Sequence, residues 1–335
     1  MTAAPSILLG MRISDQFRGV LAQRGRVLGP PSGSFAKGVA IMPATDRADI
    51  GVVITMGTVE ITEATMACLP ALRVISCLGS GYEGVDVVAA RKRNIVVTHS
   101  PAMNASAVAD LALGLMIASI RRMFDANAYL RRGDWTGDAT HRLRPVRGLT
   151  GRKVGIYGLG AIGERIARRV EACEMEVAYH NRRPRSDVHY AYHASLLGLA
   201  AWCDVLIIAV RADATNRHTV NAQVLAALGP LGHVVNIARG AVIDEAALIA
   251  ALSDSTIEGA GLDVYEHEPD VPEALLALSN VALTPHIGGG SIEAQAAMKA
   301  LVVANLDAFL AGEPVPTPVA ESAATYPAST STVSA

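Results

Sequence analysis

Aromatic side chains make up only 4% of the 335 residues, cysteine occurs four times, and acids and bases nearly cancel to a formal net charge of −2. A charge this small excludes a general attraction to nucleic acid or to an anionic membrane surface. Cys68, Cys77, Cys173 and Cys203 show no CxxC spacing. They are expected to be buried thiols in a reducing compartment. No HExxH, His/Cys cluster or carboxylate cage points to a metal, and no GxSxG or paired nucleophile points to covalent catalysis. No apolar run reads as a membrane span, since stretches such as Leu111–Ile120 are too short. The first residues, Met1–Ser6, lack the basic segment and long apolar run of a signal peptide. There is no solenoid repeat. A cytoplasmic protein is the expectation.

What is present is apolar and aliphatic. Hydrophobic residues reach 51%, carried by Ala, Val, Leu and Ile, with abundant Gly. Small and branched side chains suit helices packed closely on a sheet. The length fits two domains. Short β-rich runs at Ile7–Leu9, Gly51–Thr55, Leu72–Cys77 and Ile95–Val97 alternate with helical patterns at Ile61–Leu69 and Val85–Arg93. Such alternation predicts a parallel sheet covered on both faces. One long helix is expected from about Ser106 to Leu130, after Pro101, with Asn104 or Ser106 as its cap. The polar, Arg- and Gly-rich stretch Arg131–Gly151 reads as an arm or loop. A second series has strands at Lys153–Tyr157, Glu176–His180, Val205–Val210, His233–Ile237, Gly259–Val264 and Val281–Thr284. Helices at Ala161–Ala172, Asn221–Leu228 and Asp244–Leu252 fall between them, and a last helix spans Ser291–Leu310. Six strands with helical crossovers make a doubly wound nucleotide-binding fold. The Pro/Ala/Ser/Thr-rich tail from about Glu313 is expected not to fold.

Gly158, Gly160 and Gly163 form GxGxxG directly after a strand and at the start of a helix. In that context Gly158 permits the tight turn, Gly160 lets backbone approach a pyrophosphate and Gly163 lets the helix pack on the strand. The helix N-terminus offers free N–H groups and a positive dipole end. About 20 residues on, an acid commonly serves the adenosine ribose hydroxyls. His180-Asn181-Arg182-Arg183 stands there instead. With no carboxylate to repel a 2′-phosphate and two guanidinium groups to bind one, NADP(H) is the expected cofactor and NAD(H) the second candidate.

Three further residues sit at the C-terminal ends of predicted strands, where an open α/β sheet binds ligands. Arg239 lies in Asn236-Ile-Ala-Arg-Gly-Ala-Val-Ile-Asp-Glu-Ala-Ala-Leu248, Glu268 in Leu262-Asp-Val-Tyr-Glu-His-Glu-Pro269, and His286 in Thr284-Pro-His-Ile-Gly288. In this order the blocks resemble the D-isomer-specific 2-hydroxyacid dehydrogenase family, from about Val52 to Pro318, and within it the glyoxylate/hydroxypyruvate reductases. The resemblance implies a Rossmann cofactor domain (101–288) inserted into a discontinuous flavodoxin-like substrate domain (1–100 and 289–312), with the active site in the cleft between them and a homodimer built on the cofactor domains. Residues 313–335 remain the tail.

The family roles carry over by position. His286 is then the general acid for the carbonyl oxygen, Glu268 supports its imidazole, and Arg239 grips the substrate carboxylate and polarises the 2-oxo group. Ser80 and Gly81, in the turn Gly79–Gly81, offer backbone N–H groups to the same carboxylate, and Met56 and Tyr82 help to bound the pocket. Asp263 matches an aspartate near the nicotinamide carboxamide. Leu159, Ala161, Ile162, Val210, Arg211, Ile237, Ala238, Arg239, His286 and Gly288 complete the implied cofactor set. Departures are Val210-Arg211, where a residue followed by Pro is common, His99-Ser100, where Asn-Thr is common, and Gly289-Gly290. The implied activity is reduction of a small 2-oxo acid to a D-2-hydroxy acid. The alternatives are lactate, phenylpyruvate or phosphoglycerate dehydrogenases of the same family, or a dinucleotide-sensing corepressor.

Overall fold

A computed structural model describes residues 5–136 and 145–322. The chain divides into two compact units, residues 1–104 with 291–335 and residues 105–290. The first unit carries β1 (Ser6–Leu9), β2 (Val27–Leu28), β3 (Ile50–Thr55), β4 (Val74–Cys77) and β5 (Val96–Thr98) in the order β2-β1-β3-β4-β5. All pairings are parallel, and this is the flavodoxin-like order. Strand β2 has no counterpart in the sequence reading.

The second unit carries β6 (Lys153–Tyr157), β7 (Glu176–His180), β8 (Ala191–Tyr192), β9 (Val205–Ile208), β10 (His233–Asn236), β11 (Gly259–Leu262) and β12 (Val281–Leu283). Their order is β12-β11-β10-β9-β6-β7-β8, all parallel. It is the dinucleotide-binding order with one strand added at the far edge. Among the described residues the sheet has seven strands where the sequence predicts six: the two-residue β8, not expected, takes the third place of that order, and β12 is the strand added at the opposite edge. Strand β9 shows why the apolar runs are continuous. Leu206 and Ile208 join one core, with Val234 and Leu262. Val205 and Ile207 join another on the opposite face, with Val154 and Ile156. A strand covered on both faces needs an apolar residue at every position.

The single helix expected over 106–130 is two helices, Ala105–Ile120 and Met123–Arg131. Arg122 breaks it in a left-handed conformation (φ +49°) and pairs with Asp125. The first helix packs on β10 and β11 and on the helix Ala161–Glu171. The second buries no residue. Of the arm, residues 137–144 lie outside the described residues.

The tail also departs from expectation. Val315 and Val319 are buried. The Val319 N–H donates to the Val97 carbonyl at 2.9 Å, and Ser322 Oγ accepts from the Val97 N–H at 3.1 Å. Strand β5 ends its sheet, so the segment satisfies an edge that composition alone does not reveal. Residues 323–335 lie outside the described residues. The helix Ile292–Ala311 is long and apolar enough to cross a membrane by length and composition, contrary to the sequence reading. It packs against β4, buries Met298, Val302 and Leu306, and pairs Asp307 with Arg24, so it serves as a covering helix of the first unit. All four cysteines are free; Cys77 and Cys203 are buried, whereas Cys68 and Cys173 are only half-buried. Burial pushes both buried thiols up to about 12.

His233, on β10, is 3% exposed in its side chain. Its Nδ1 meets Ser119 Oγ at 2.9 Å, and its Nε2 lies 3.4 Å from Glu258. Burial, with Arg152 acting in the same sense and Asp204 opposing, lowers its pKa from 6.5 to about 4. The long contact to Glu258 does not outweigh burial. The unfolded chain takes up this proton at the ordinary value, so stability from the neutral ring is complete above 6.5 and is lost as pH falls toward 4. The difference at the acid end is about 3 kcal/mol. Urea midpoints should therefore fall between pH 7.5 and 5, less steeply in His233→Asn. Equal slopes in both proteins would remove His233 from the account.

Candidate active site

The strand order of the second unit reverses between β6 and β9, and a cleft of about 740 Å³ opens there. Gly158, Leu159, Gly160, Asn181, Arg182, Arg183, Val210 and Arg211 line it, all named by the sequence reading. Tyr157, His180, Ala209, Asp213, Thr215 and Asn216 line it too. The turn after β6 has Gly158 at φ +104°. A Cβ at Gly163 would stand 2.2 Å from the Gly158 carbonyl oxygen, so only glycine lets the helix Ala161–Glu171 close on the strand. At Gly160 a Cβ would meet nothing within 4 Å, and the approach to the helix start is open. Ala161, Ile162 and Gly163 form the first helical turn and are not among the cleft-lining residues.

Asn181 takes the place of the usual acid. Its Oδ1 accepts the Leu159 N–H at 2.7 Å. Its remaining amide group is therefore a donor. Arg182, Arg183 and Arg211 are exposed on the cleft wall. Asp213 faces the same space; a hydrogen bond from Thr215, then Arg182 and Arg211, hold its carboxyl below the usual range. That acidic residue was missed, and the Asp-x-Thr spacing of an Asx turn was its only signal. His180 stacks on Tyr157, with centroids 5.7 Å apart, and its Nδ1 meets the His193 carbonyl at 2.8 Å.

Arg239, Glu268 and His286 follow β10, β11 and β12. His286 Nδ1 lies 2.6 Å from Glu268 Oε2. The other carboxylate oxygen, Oε1, accepts the Tyr265 N–H at 3.1 Å. Burial pushes Glu268 up, but the hydrogen bond and charge of His286, the Tyr265 N–H and the charge of Arg239 together hold it below the usual carboxylate range. Arg239 Nη1 donates to the Ala238 carbonyl at 2.7 Å. Gly240, next to it, lies so close to the Glu268 loop that a Cβ would be 1.9 Å from the Tyr265 carbonyl carbon. That contact brings the Arg239 and Glu268 segments together. Ile237 and Ala238 are buried in the same turn.

Two residues shape this set without having been singled out for it. Asn236, 1% exposed, accepts the Ala238 N–H and donates to the Arg239 carbonyl, each at 3.0 Å. Asp263, 2% exposed, was expected near the nicotinamide carboxamide. Its Oδ1 accepts from Thr284 Oγ1 at 2.7 Å and the Ile287 N–H at 2.8 Å, and its Oδ2 accepts the Gly288 N–H at 2.8 Å. It thus ties down the segment that holds His286 in a left-handed conformation (φ +53°), which is strained for a residue with a side chain.

The remaining expected residues belong to the first unit. Ser80 Oγ bonds the Ser100 carbonyl and Asn104 Oδ1, each at 3.1 Å, so Asn104 serves this turn. His99 Nδ1 meets the Ser80 carbonyl at 2.9 Å, and the His99 ring stands edge-on to Tyr82. Gly81 packs against Gly57, beside the exposed Met56. Among the described residues no group of His, Cys, Asp or Glu is placed to hold a metal ion.

Comparison with known proteins gives concordant results. The profile of the D-isomer specific 2-hydroxyacid dehydrogenase NAD binding domain matches residues 113–288. A glyoxylate/hydroxypyruvate reductase of Arabidopsis thaliana is 38% identical over 280 residues, 84% of this chain and 88% of its own length. A hydroxyphenylpyruvate reductase of Plectranthus scutellarioides is 40% identical over 252 residues, covering 75% and 79%. The crystal structure of an NADPH-dependent glyoxylate/hydroxypyruvate reductase from Sinorhizobium meliloti, in complex with NADP and malonate, superposes with a TM-score of 0.88 at 40% identity, over 96% of this chain and 98% of the other. On the profile, the relatives and the fold together, this chain belongs to the D-isomer-specific 2-hydroxyacid dehydrogenase family.

Proposed function

We propose that the chain reduces glyoxylate, hydroxypyruvate or a similarly small 2-oxo acid to the D-2-hydroxy acid, with NADPH preferred over NADH. The observation that carries this reading is the 2.6 Å contact of His286 with Glu268, formed beside Arg239. The second unit fits a dinucleotide: its helix start is open at Gly160, and arginines stand where a 2′-phosphate would be read. Bound there, a dihydronicotinamide supplies the hydride that the 2-oxo carbon accepts. His286 donates its Nδ1–H to Glu268, which fixes the ring and leaves Nε2 to protonate the carbonyl oxygen. The carboxylate stabilises the charged ring before transfer. Arg239 holds the substrate carboxylate and polarises the carbonyl. The same reading keeps Ser80, Gly81 and Met56 of the first unit as substrate-binding residues. Asp263 and Asn236 act through the backbones they fix. A rate panel with NADPH should rank glyoxylate and hydroxypyruvate above phenylpyruvate. Phenylpyruvate far ahead would favour the chemistry named for the Plectranthus relative and overturn this substrate choice.

The same reading extends to assembly as a homodimer. Met123, Phe124, Leu130 and Trp135 are exposed apolar residues, grouped on or just after a helix with no buried residue. A grouped apolar surface of this kind is commonly an interaction site. Sedimentation should give a dimer at micromolar concentration, and Trp135→Glu with Phe124→Asp should weaken it. A monomer in the wild type would refute the assignment.

A further inference from the structure

Arg185 lies outside the cleft but is tied to both loops that shape it. Its Nη1 donates to the Leu159 carbonyl at 3.1 Å and lies 3.2 Å from Glu164 Oε2. Its Nε donates to Asp187 Oδ1 at 2.9 Å, and its Nη2 also bonds Asp187. Its backbone N–H donates to Tyr179 Oη at 2.7 Å. Every guanidinium nitrogen is thus engaged within the fold, and Arg185 is not among the cleft-lining residues.

Leu159 is the central residue of the glycine turn. Its N–H is held by Asn181 and its carbonyl by Arg185. Arg182 and Arg183 lie between these two anchors in the chain, so their backbone is fixed to the glycine turn from both sides. The second effect is electrostatic. Glu164 stands in the first turn of the helix whose N-terminus faces the cleft. Arg168 and Arg185 pair with its two oxygens, which keeps a bare carboxylate from opposing an anion there.

We propose that Arg185 is a positioning residue for cofactor choice, bracing Arg182 and Arg183 at a fixed distance from the glycine turn so that 2′-phosphate and pyrophosphate are read together. This rests on the NADPH reading above. A brace lowers the ordering cost of the arginine contacts that only NADPH makes. NADH uses the glycine turn alone and gains less from it.

The test is the ratio of kcat/KM for NADPH to that for NADH, at saturating glyoxylate, in wild type, Arg185→Ala and Arg185→Lys. Loss of one charge-assisted phosphate contact corresponds to about tenfold. Arg185→Ala should lower the ratio by about that factor, through KM for NADPH, with kcat at saturating NADPH retained. Arg185→Lys keeps the charge but not the fork, so it should fold and still lose most of the ratio. A merely structural role would lower both cofactors' efficiencies by one factor and leave the ratio unmoved. That result, or wild-type values in both variants, overturns the proposal while a wild-type preference for NADPH stands. Equal use of both cofactors by the wild type overturns the NADPH reading itself, and the brace with it.

Discussion

Replacing His286 by alanine should lower turnover by about 100- to 10,000-fold, the usual contribution of a positioned general acid. The ring is set up for one task. Its Nδ1 is taken by Glu268 at 2.6 Å, and its backbone N–H donates to the Asp263 carbonyl at 2.8 Å. Only Nε2 is left to meet substrate. The proposed phosphate end of the dinucleotide site uses other segments, around the Gly158 turn and Arg182, which line the cleft. Cofactor affinity should therefore stay within a few-fold of wild type while kcat collapses, a split that marks an interaction made in the transition state. Glu268→Gln should be milder and change the shape of the pH profile. The Glu268 carboxylate, held below the usual range, takes up a proton only at acid pH, and an amide has no such titration, so the acid limb of the reduction rate should flatten. Arg239→Ala should raise KM for the oxo acid and lower kcat together, because on the proposed reading one cation serves both binding and polarisation. Stopped-flow rates with fluorescence titration of NADPH separate these cases. A His286→Ala enzyme turning over near the wild-type rate would remove the histidine from the chemistry.

Local patterns exposed most of this arrangement in the sequence. Continuous apolar runs marked strands such as Val205–Ile208 because both faces of the sheet are covered. Glycine spacing marked the turn after β6, because Gly163 has no room for a side chain. The misses have separate causes. Strands β2 and β8 have two residues each, too few to carry a period. The break at Arg122 is set by a backbone conformation that composition does not encode. The docked segment around Val319 depends on an edge of β5 more than two hundred positions earlier in the sequence. The roles of Asn236, Asp263 and Arg185 rest on hydrogen bonds that join separate turns, such as Arg185 to Leu159. Residue type and spacing singled out the side chains proposed to carry the chemistry; what holds them in place is tertiary.

Exchanging Asn181 for aspartate, together with Arg182→Ala, should turn an NADPH preference into an NADH preference. Asn181 Oδ1 is already occupied by the Leu159 N–H at 2.7 Å. An aspartate oxygen accepts that bond equally well, so the turn should keep its shape. What changes is the other end of the side chain. The amide offers a donor, suited to phosphate oxygens. The carboxylate offers a charged acceptor, which bonds the free ribose hydroxyl of NADH and repels the 2′-phosphate. Loss of Arg182 removes attraction from the same side. In the wild type, one good guanidinium–phosphate contact contributes about 1.5–3 kcal/mol, or a preference of about ten- to a hundredfold in kcat/KM. Two observations favour the low end. Arg182 and Arg183 are exposed to screening solvent, and Asp213 brings a negative charge against Arg182 and Arg211. Asp213→Asn should accordingly raise the NADPH preference by a few-fold. Steady-state kinetics with both cofactors on the wild type, the Asn181→Asp/Arg182→Ala pair and Asp213→Asn would read all three. A wild type that uses NADH as well as NADPH would reduce the arginines to a solvated pair at a strand end.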